Sequence, residues 1–295
     1  MDIKIIETEL GKIEYSTTGN GKPLLFIHGG HTNCNSTLWQ KGFDIKKFQF
    51  ISPSRPGYGN TPLNNNKTPK QQADLIISLL DYMSIDKVIL YGISAGGLTT
   101  IEFASNYPER VEKLILASCV SKEWLDKKGK IYKTAQRIFN PKVEGFVWRM
   151  IRFFSGIFPN LIAKNFYPQF TSKPTHKLIK EDVNELISMF KDFGSGKGFV
   201  NDIDQSINHN IISRIKCPTL IIHSKNDNSV LFEHALHSNK MIENSKLVAL
   251  DNEWGHLFWI GNDSKHSIRK TIEFIIESCQ HTMYLANIIC ETYMS

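Results

Sequence analysis

The sequence predicts an α/β fold: a mostly parallel sheet with helices on both faces and an inserted helical cap. Three observations carry that prediction. Apolar runs of strand length alternate with segments of helical period, the pattern of a parallel sheet covered on both sides. The alternation stops near residue 121, gives way to a helical, aromatic and basic stretch, and resumes after residue 208. A serine between two glycines, Gly92-Ile93-Ser94-Ala95-Gly96, stands where one apolar run ends and a helical segment begins.

The elements follow in order. Ile3–Glu7 and Lys12–Ser16 read as two strands joined by a turn at Leu10-Gly11. The continuous apolar run Pro23–His28 reads as a strand buried on both faces, and Phe48–Pro53 as another. Ala73, Ile76, Ile77, Leu80 and Met83 recur at helical spacing within Gln71–Met83. Val88–Tyr91 is the strand before the serine, Leu98–Ala104 the helix after it, and Leu114–Ala117 a further strand. After the break come strands at Thr219–His223 and Lys246–Leu250, then a helix over Ser264–Ser278. An insertion that leaves a sheet and returns to it reads as a cap over the C-terminal strand ends, where open α/β sheets bind ligands. The expected division is a core of residues 1–120 and 206–295 with a cap of residues 121–205.

The serine pentapeptide has the form of a nucleophile elbow. So tight a turn strains the serine backbone and leaves no room for side chains two residues away, which Gly92 and Gly96 lack. Ser94 then stands clear of the sheet, at the N-terminus of a helix whose dipole favours developing negative charge. A serine hydroxyl is a weak nucleophile until a base takes its proton, and the base needs an acid to orient it. Asp227 follows the strand ending at His223, and His256 follows the strand ending at Leu250. The order Ser94, Asp227, His256 is the one that this sheet topology uses. Asp251 competes for the acid's place but lies in the loop of His256 itself.

Together these residues resemble the α/β-hydrolase superfamily in its helical-capped serine hydrolase branch, which holds esterases, lactonases, perhydrolases and proline iminopeptidase-like enzymes. The resemblance spans nearly all of residues 1–279. It rests on His28-Gly29-Gly30, Arg55-Pro56-Gly57-Tyr58-Gly59, the elbow with Gly97, the Asp227 loop and Trp254-Gly255-His256. It implies an α/β-hydrolase fold with Ser94, Asp227 and His256 as catalytic residues. It also implies an oxyanion hole built from the backbone N–H groups of Gly30 and Ala95. The implied activity is hydrolysis of carboxylic esters or related acyl substrates through an acyl-enzyme. Two alternatives remain: a proline iminopeptidase-like aminopeptidase, although His31-Thr32 stands where Pro-Gly is usual there, and a slow-turnover ligand sensor of the same fold.

Composition narrows the class further. The chain has 295 residues, 41% hydrophobic and 22% charged, as in an ordinary soluble globular protein. A net charge of +6 without a long basic run argues against a nucleic-acid footprint. No apolar run is long enough to span a bilayer, and the N-terminus lacks a signal-peptide profile. Five scattered cysteines without a Cys-x-x-Cys pair suggest reduced thiols and a cytoplasmic protein. No spacing suggests a metal site, and no cofactor is expected. The expected partner is a small, partly apolar substrate, and the chain is read as a monomer or homodimer. Phe146, Met150, Phe153, Phe154, Ile157 and Phe158 fall near helical spacing, and Phe153 and Phe154 are read as pocket walls. His28 is read as structural and His31, His209, His223 and His234 as ordinary; Gly194–Gly198 is read as a hinge loop. Residues 281–295 continue at helical spacing without an assigned role.

Overall fold

The computed structural model describes residues 1–175 and 178–277. The segment 281–295 lies outside them. Eight strands form one sheet: β1 (Asp2–Thr8), β2 (Gly11–Thr18), β3 (Lys22–Ile27), β4 (Phe48–Pro53), β5 (Val88–Ile93), β6 (Val111–Ala117), β7 (Thr219–Ser224) and β8 (Ser245–Leu250). Their order is β1-β2-β4-β3-β5-β6-β7-β8. The hairpin partner β2 runs antiparallel to β4, and every pairing from β4 to β8 is parallel.

Alternation along the strands explains the two cores. In β5, Ile89, Tyr91 and Ile93 face one side of the sheet, while Val88 and Leu90 face the other. On the second side α1 (Pro69–Tyr82) and α2 (Gly97–Asn106) pack with α8 (Glu233–Met241). On the first, the aromatic group of Phe26, Phe50 and Tyr91 meets Phe258, Trp259 and Ile275, the last from a helix over residues 264–277. Because both faces are covered, the central strands carry no polar alternation, which is why they read as unbroken apolar runs. Helix α1 begins on a capping box in which Thr68 and Gln71 satisfy each other's backbone N–H groups, with Pro69 preset for the first turn.

Between β6 and β7 the chain forms α3 (Lys130–Ile138), α4 (Glu144–Ile157), α5 (Pro159–Phe170), α6 (Lys180–Asp192) and α7 (Gly198–Asp202). Helices α4, α5 and α6 share a core of their own, in which Trp148, Tyr167, Leu186 and Phe190 pack against Trp254 and Leu257 of the loop after β8. An isolated bridge, Thr171 with Asp227, ties the end of α5 to the loop after β7. The inserted helices therefore pack directly on the two loops that carry Asp227 and His256.

Candidate active site

Ser94 follows β5 with a positive φ of 51°, a costly conformation for a residue with a side chain. Ser94–Gly96 form one 3-10 turn, and α2 starts at Gly97. Ala95 thus lies in that turn, just ahead of the α-helix. The glycines are sterically required. A Cβ on Gly92 would sit 2.4 Å from Thr100 Oγ1, and one on Gly96 would sit 2.5 Å from the carbonyl oxygen of His28. Backbone cannot rotate aside as a side chain can, so Gly96→Ala is expected to cost about 1–3 kcal/mol in a urea melt. An unchanged midpoint would show that the turn has slack this geometry does not reveal.

The structure brings Ser94, His256 and Asp227 together. His256 Nε2 lies 2.9 Å from Ser94 Oγ, and His256 Nδ1 lies 2.7 Å from Asp227 Oδ2. A carboxylate only accepts, so Nδ1 carries the proton and donates it to Asp227. Nε2 is left with a lone pair toward the serine hydroxyl. The other oxygen of Asp227 accepts the backbone N–H groups of Ser229 and Val230 at 2.9 and 2.8 Å. Burial alone would raise the pKa of Asp227, but His256 and His223 outweigh it and hold the carboxyl at about 2. The free energy from this depressed pKa is fully present above about pH 4 and is lost as pH falls through about 2. Asp251 is on the surface, paired with Lys173 at 3.0 Å, and does not contact the histidine.

His223 is not an ordinary histidine. Its Nε2 lies 3.0 Å from Asp227 Oδ2 and 2.8 Å from the carbonyl of Val230. Both neighbours accept, so Nε2 donates, and one oxygen of Asp227, Oδ2, takes both His223 and His256. Its position four residues before Asp227, at the end of the same strand, was the available signal.

The segment after β3 approaches the same serine. A Cβ on Gly29 would lie 2.9 Å from Ser94 Cβ, and one on Gly30 would lie 3.8 Å from Ala95 Cβ. Two glycines let this backbone pass beside the nucleophile. His28 is buried and structural: burial and the nearby Arg55 charge push its pKa well down, and its Nε2 accepts the Arg55 N–H at 2.9 Å. Arg55 in turn donates Nε–H to the His28 carbonyl at 2.8 Å and a guanidinium N–H to the Gly29 carbonyl at 3.3 Å. Asp202 of α7 grips the other edge of the guanidinium with both oxygens, at 2.8 and 2.7 Å, and accepts the Tyr58 hydroxyl at 2.6 Å.

His31 follows at φ 62°, its ring 3.9 Å from that of Phe199 and 4.3 Å from that of Phe139. Burial pushes its pKa down to about 3, so the ring is neutral. Trp148 donates to Ser195 Oγ at 3.3 Å, and that hydroxyl lies 2.5 Å from His31 Nδ1. The loop Gly194–Gly198 is held between Gly57, whose carbonyl accepts from Gly198, and Glu144, which accepts the Ser195 and Gly196 N–H groups at 3.1 and 3.0 Å. Phe199 thus lies against Gly30, and His31, Phe139 and Trp148 cluster with it. Phe153 and Phe154 are elsewhere. They lie on the outer face of α4, 59% and 38% exposed, packed edge to face on each other. The reading of these two as pocket walls is corrected: Trp148 and Ser155 take the inward face of α4, so neighbours a quarter-turn or more away point outward.

A family model described as alpha/beta hydrolase fold matches residues 22–147. An uncharacterized hydrolase of Bacillus subtilis (strain 168), YcgS, is 38% identical over 269 residues, covering 89% of this chain and 94% of its own length. The chain belongs to the alpha/beta hydrolase family. An alpha/beta hydrolase fold protein from Nakamurella multipartita superposes on this hydrolase with a TM-score of 0.74 at 25% identity, over 92% of this chain and 98% of that one. A thermophilic esterase from Thermogutta terrifontis shares the fold, with a TM-score of 0.69 at 22% identity over 94% and 99% of the two chains.

Proposed function

We propose that this alpha/beta hydrolase cleaves carboxylic esters or close acyl relatives through an acyl-enzyme formed on Ser94. The observation that carries the reading is the unbroken line from Ser94 Oγ through His256 to Asp227, at 2.9 and 2.7 Å. Ser94 Oγ attacks the acyl carbonyl while its proton passes to His256 Nε2. The carbonyl electron pair moves to oxygen, and the N–H groups of Gly30 and Ala95 receive that oxyanion. When the tetrahedral species collapses, the C–O bond to the alcohol breaks and His256 returns the proton to the leaving oxygen. Water then repeats the sequence on the acyl-enzyme. Asp227 stays ionised throughout and holds the imidazole in the required tautomer. The inserted helices act as a cap over this centre, with Phe199, His31 and Phe139 as the apolar surroundings nearest Gly30.

The test is turnover of a panel of p-nitrophenyl esters and aminoacyl p-nitroanilides by the purified chain. Ester hydrolysis well above the uncatalysed rate, lost on removal of the Ser94 hydroxyl, supports the reading. Preference for prolyl amides would move the protein to the aminopeptidases, and no turnover of either series would favour a binding role. The pH profile adds an independent check. Because Asp227 is held at about 2, only one group should titrate on the acid side. The logarithm of kcat/KM is expected to rise with unit slope and then level off. A slope of two would mean that the carboxyl of Asp227 titrates together with the base.

A further inference from the structure

We propose that the outer face of α4 and the start of α5 is a docking surface for an anionic lipid layer. Phe146, Phe153 and Ile157 recur at spacings of seven and four, which places them on one face of α4. They are 62%, 59% and 52% exposed, and Phe158 and Leu161 extend the strip at 52% and 56%. Single exposed apolar side chains are normal, but several large ones on one helix face mark an interaction site. The opposite face of α4, with Trp148 and Ser155, is already buried, so the exposed face is not needed to hold the helix in place.

Charge identifies the partner. Arg149 sits on the strip, three residues after Phe146 and four before Phe153; Lys142 precedes the helix and Lys164 follows Leu161 by three. All three are exposed, and none has an ion-pair partner among the described residues. From residue 127 to residue 180 the only acidic side chain is Glu144. That carboxylate is buried and occupied by the N–H groups of Ser195 and Gly196. The segment that carries the strip is therefore apolar and cationic and contributes no exposed carboxylate of its own, which is the complement of acyl chains beneath anionic headgroups. A second copy of this chain fits less well. A two-fold contact through this face would set Arg149 and Lys142 of each copy near those of the other, without a carboxylate to separate them. No helix among the described residues is long and apolar enough to cross a membrane, so the docking is peripheral.

The location links the surface to the site. The carbonyl of Phe170, the last residue of α5, accepts the backbone N–H of His256 at 2.8 Å, and the next residue, Thr171, bridges Asp227. The face that would meet lipid is shared by α4 and α5, and α5 ends at the candidate catalytic loops, where a partly apolar ester drawn from the layer would arrive.

Flotation of the full-length protein with phosphatidylcholine vesicles, with and without about a third phosphatidylserine, tests the proposal. Binding should require the anionic lipid and disappear in high salt. Phe146→Ser with Ile157→Ser, and separately Lys142→Glu with Arg149→Glu, should each weaken it by about tenfold or more. Turnover of a soluble ester and the melting temperature should stay unchanged in both pairs. Ser94→Ala should bind like the native chain, so failure of the proposed reaction and failure of docking are separable. Equal partition to neutral and anionic vesicles, or binding unaffected by both pairs, would overturn the proposal. So would a concentration-dependent dimer in light scattering that Phe146→Ser abolishes, since a second copy would then cover the strip.

Discussion

Ser94→Ala lowers kcat for a simple ester by about a millionfold, and His256→Ala by a similar factor, with the fold and the melting temperature preserved. The size follows from the geometry. The hydroxyl and the imidazole are 2.9 Å apart and act as one unit, so removing either removes the whole nucleophilic path. The double variant should therefore be scarcely slower than either single one. Asp227→Asn is expected to cost less, about ten-thousandfold, because the amide can still contact the ring but favours the wrong tautomer. Asp251→Asn should leave turnover within about twofold, since that carboxylate is exposed and pairs only with Lys173 and Asn226. Stopped-flow or steady-state assays on the four single variants and the double variant decide the matter. Near-native turnover in Ser94→Ala, or a large loss in Asp251→Asn with Asp227→Asn intact, would overturn the assignment.

Asp202→Ala has the largest expected effect on stability, about 3–5 kcal/mol in a denaturant melt. Arg55 and Asp202 are almost fully enclosed, at 1% and 5% side-chain exposure. Burial works against the guanidinium charge, and the charge of Asp202 more than offsets it, so Arg55 stays ionised. Removing the aspartate leaves a buried cation with two of its N–H donors stripped of their acceptor, and strips the Tyr58 hydroxyl of its acceptor as well. Replacing both members, as Arg55→Met with Asp202→Leu, should recover much of the loss, because no lone charge remains inside. Activity should not recover with stability. Arg55 also holds the carbonyls of His28 and Gly29, and it thereby positions the Gly30 N–H. Its loss is expected to lower kcat by about a hundredfold, the effect of a small misplacement at a reacting centre. A double variant with native kcat would show that this backbone segment needs no tether.

Much of this protein was legible in its sequence, for a local reason. Strand and helix periods repeat every two and every 3.6 residues, so β3, β4 and β5 and helices α1 and α2 announce themselves within a few residues. The elbow is equally local, because Gly92 and Gly96 are required by a turn five residues long. Asp227 and His256 were found at a distance only because chain order and strand ends place them, a rule of topology that a linear sequence preserves.

Contacts between residues far apart in the chain, and the direction in which side chains point, arise only on folding. Arg55 meets Asp202 across 147 residues, and His31 meets Ser195 across 164. No spacing rule joins such pairs, since each depends on how α7 and its loop settle on the segments after β3 and β4. The same limit governs α4. Its sequence offers Phe146, Trp148, Phe153 and Phe154 as equally apolar, and hydrophobicity alone cannot say which of them face the core. Packing against α5, α6 and Trp254 chose Trp148 and turned Phe146 and Phe153 to solvent. The strands, the helices flanking Ser94 and the three candidate catalytic side chains could be read from the linear chain, because short-range sterics and chain topology set them. Which aromatic residues lie beside Gly30, and which face outward, is set by the free energy of burying one helix face rather than another, and that difference exists only once the helices have packed.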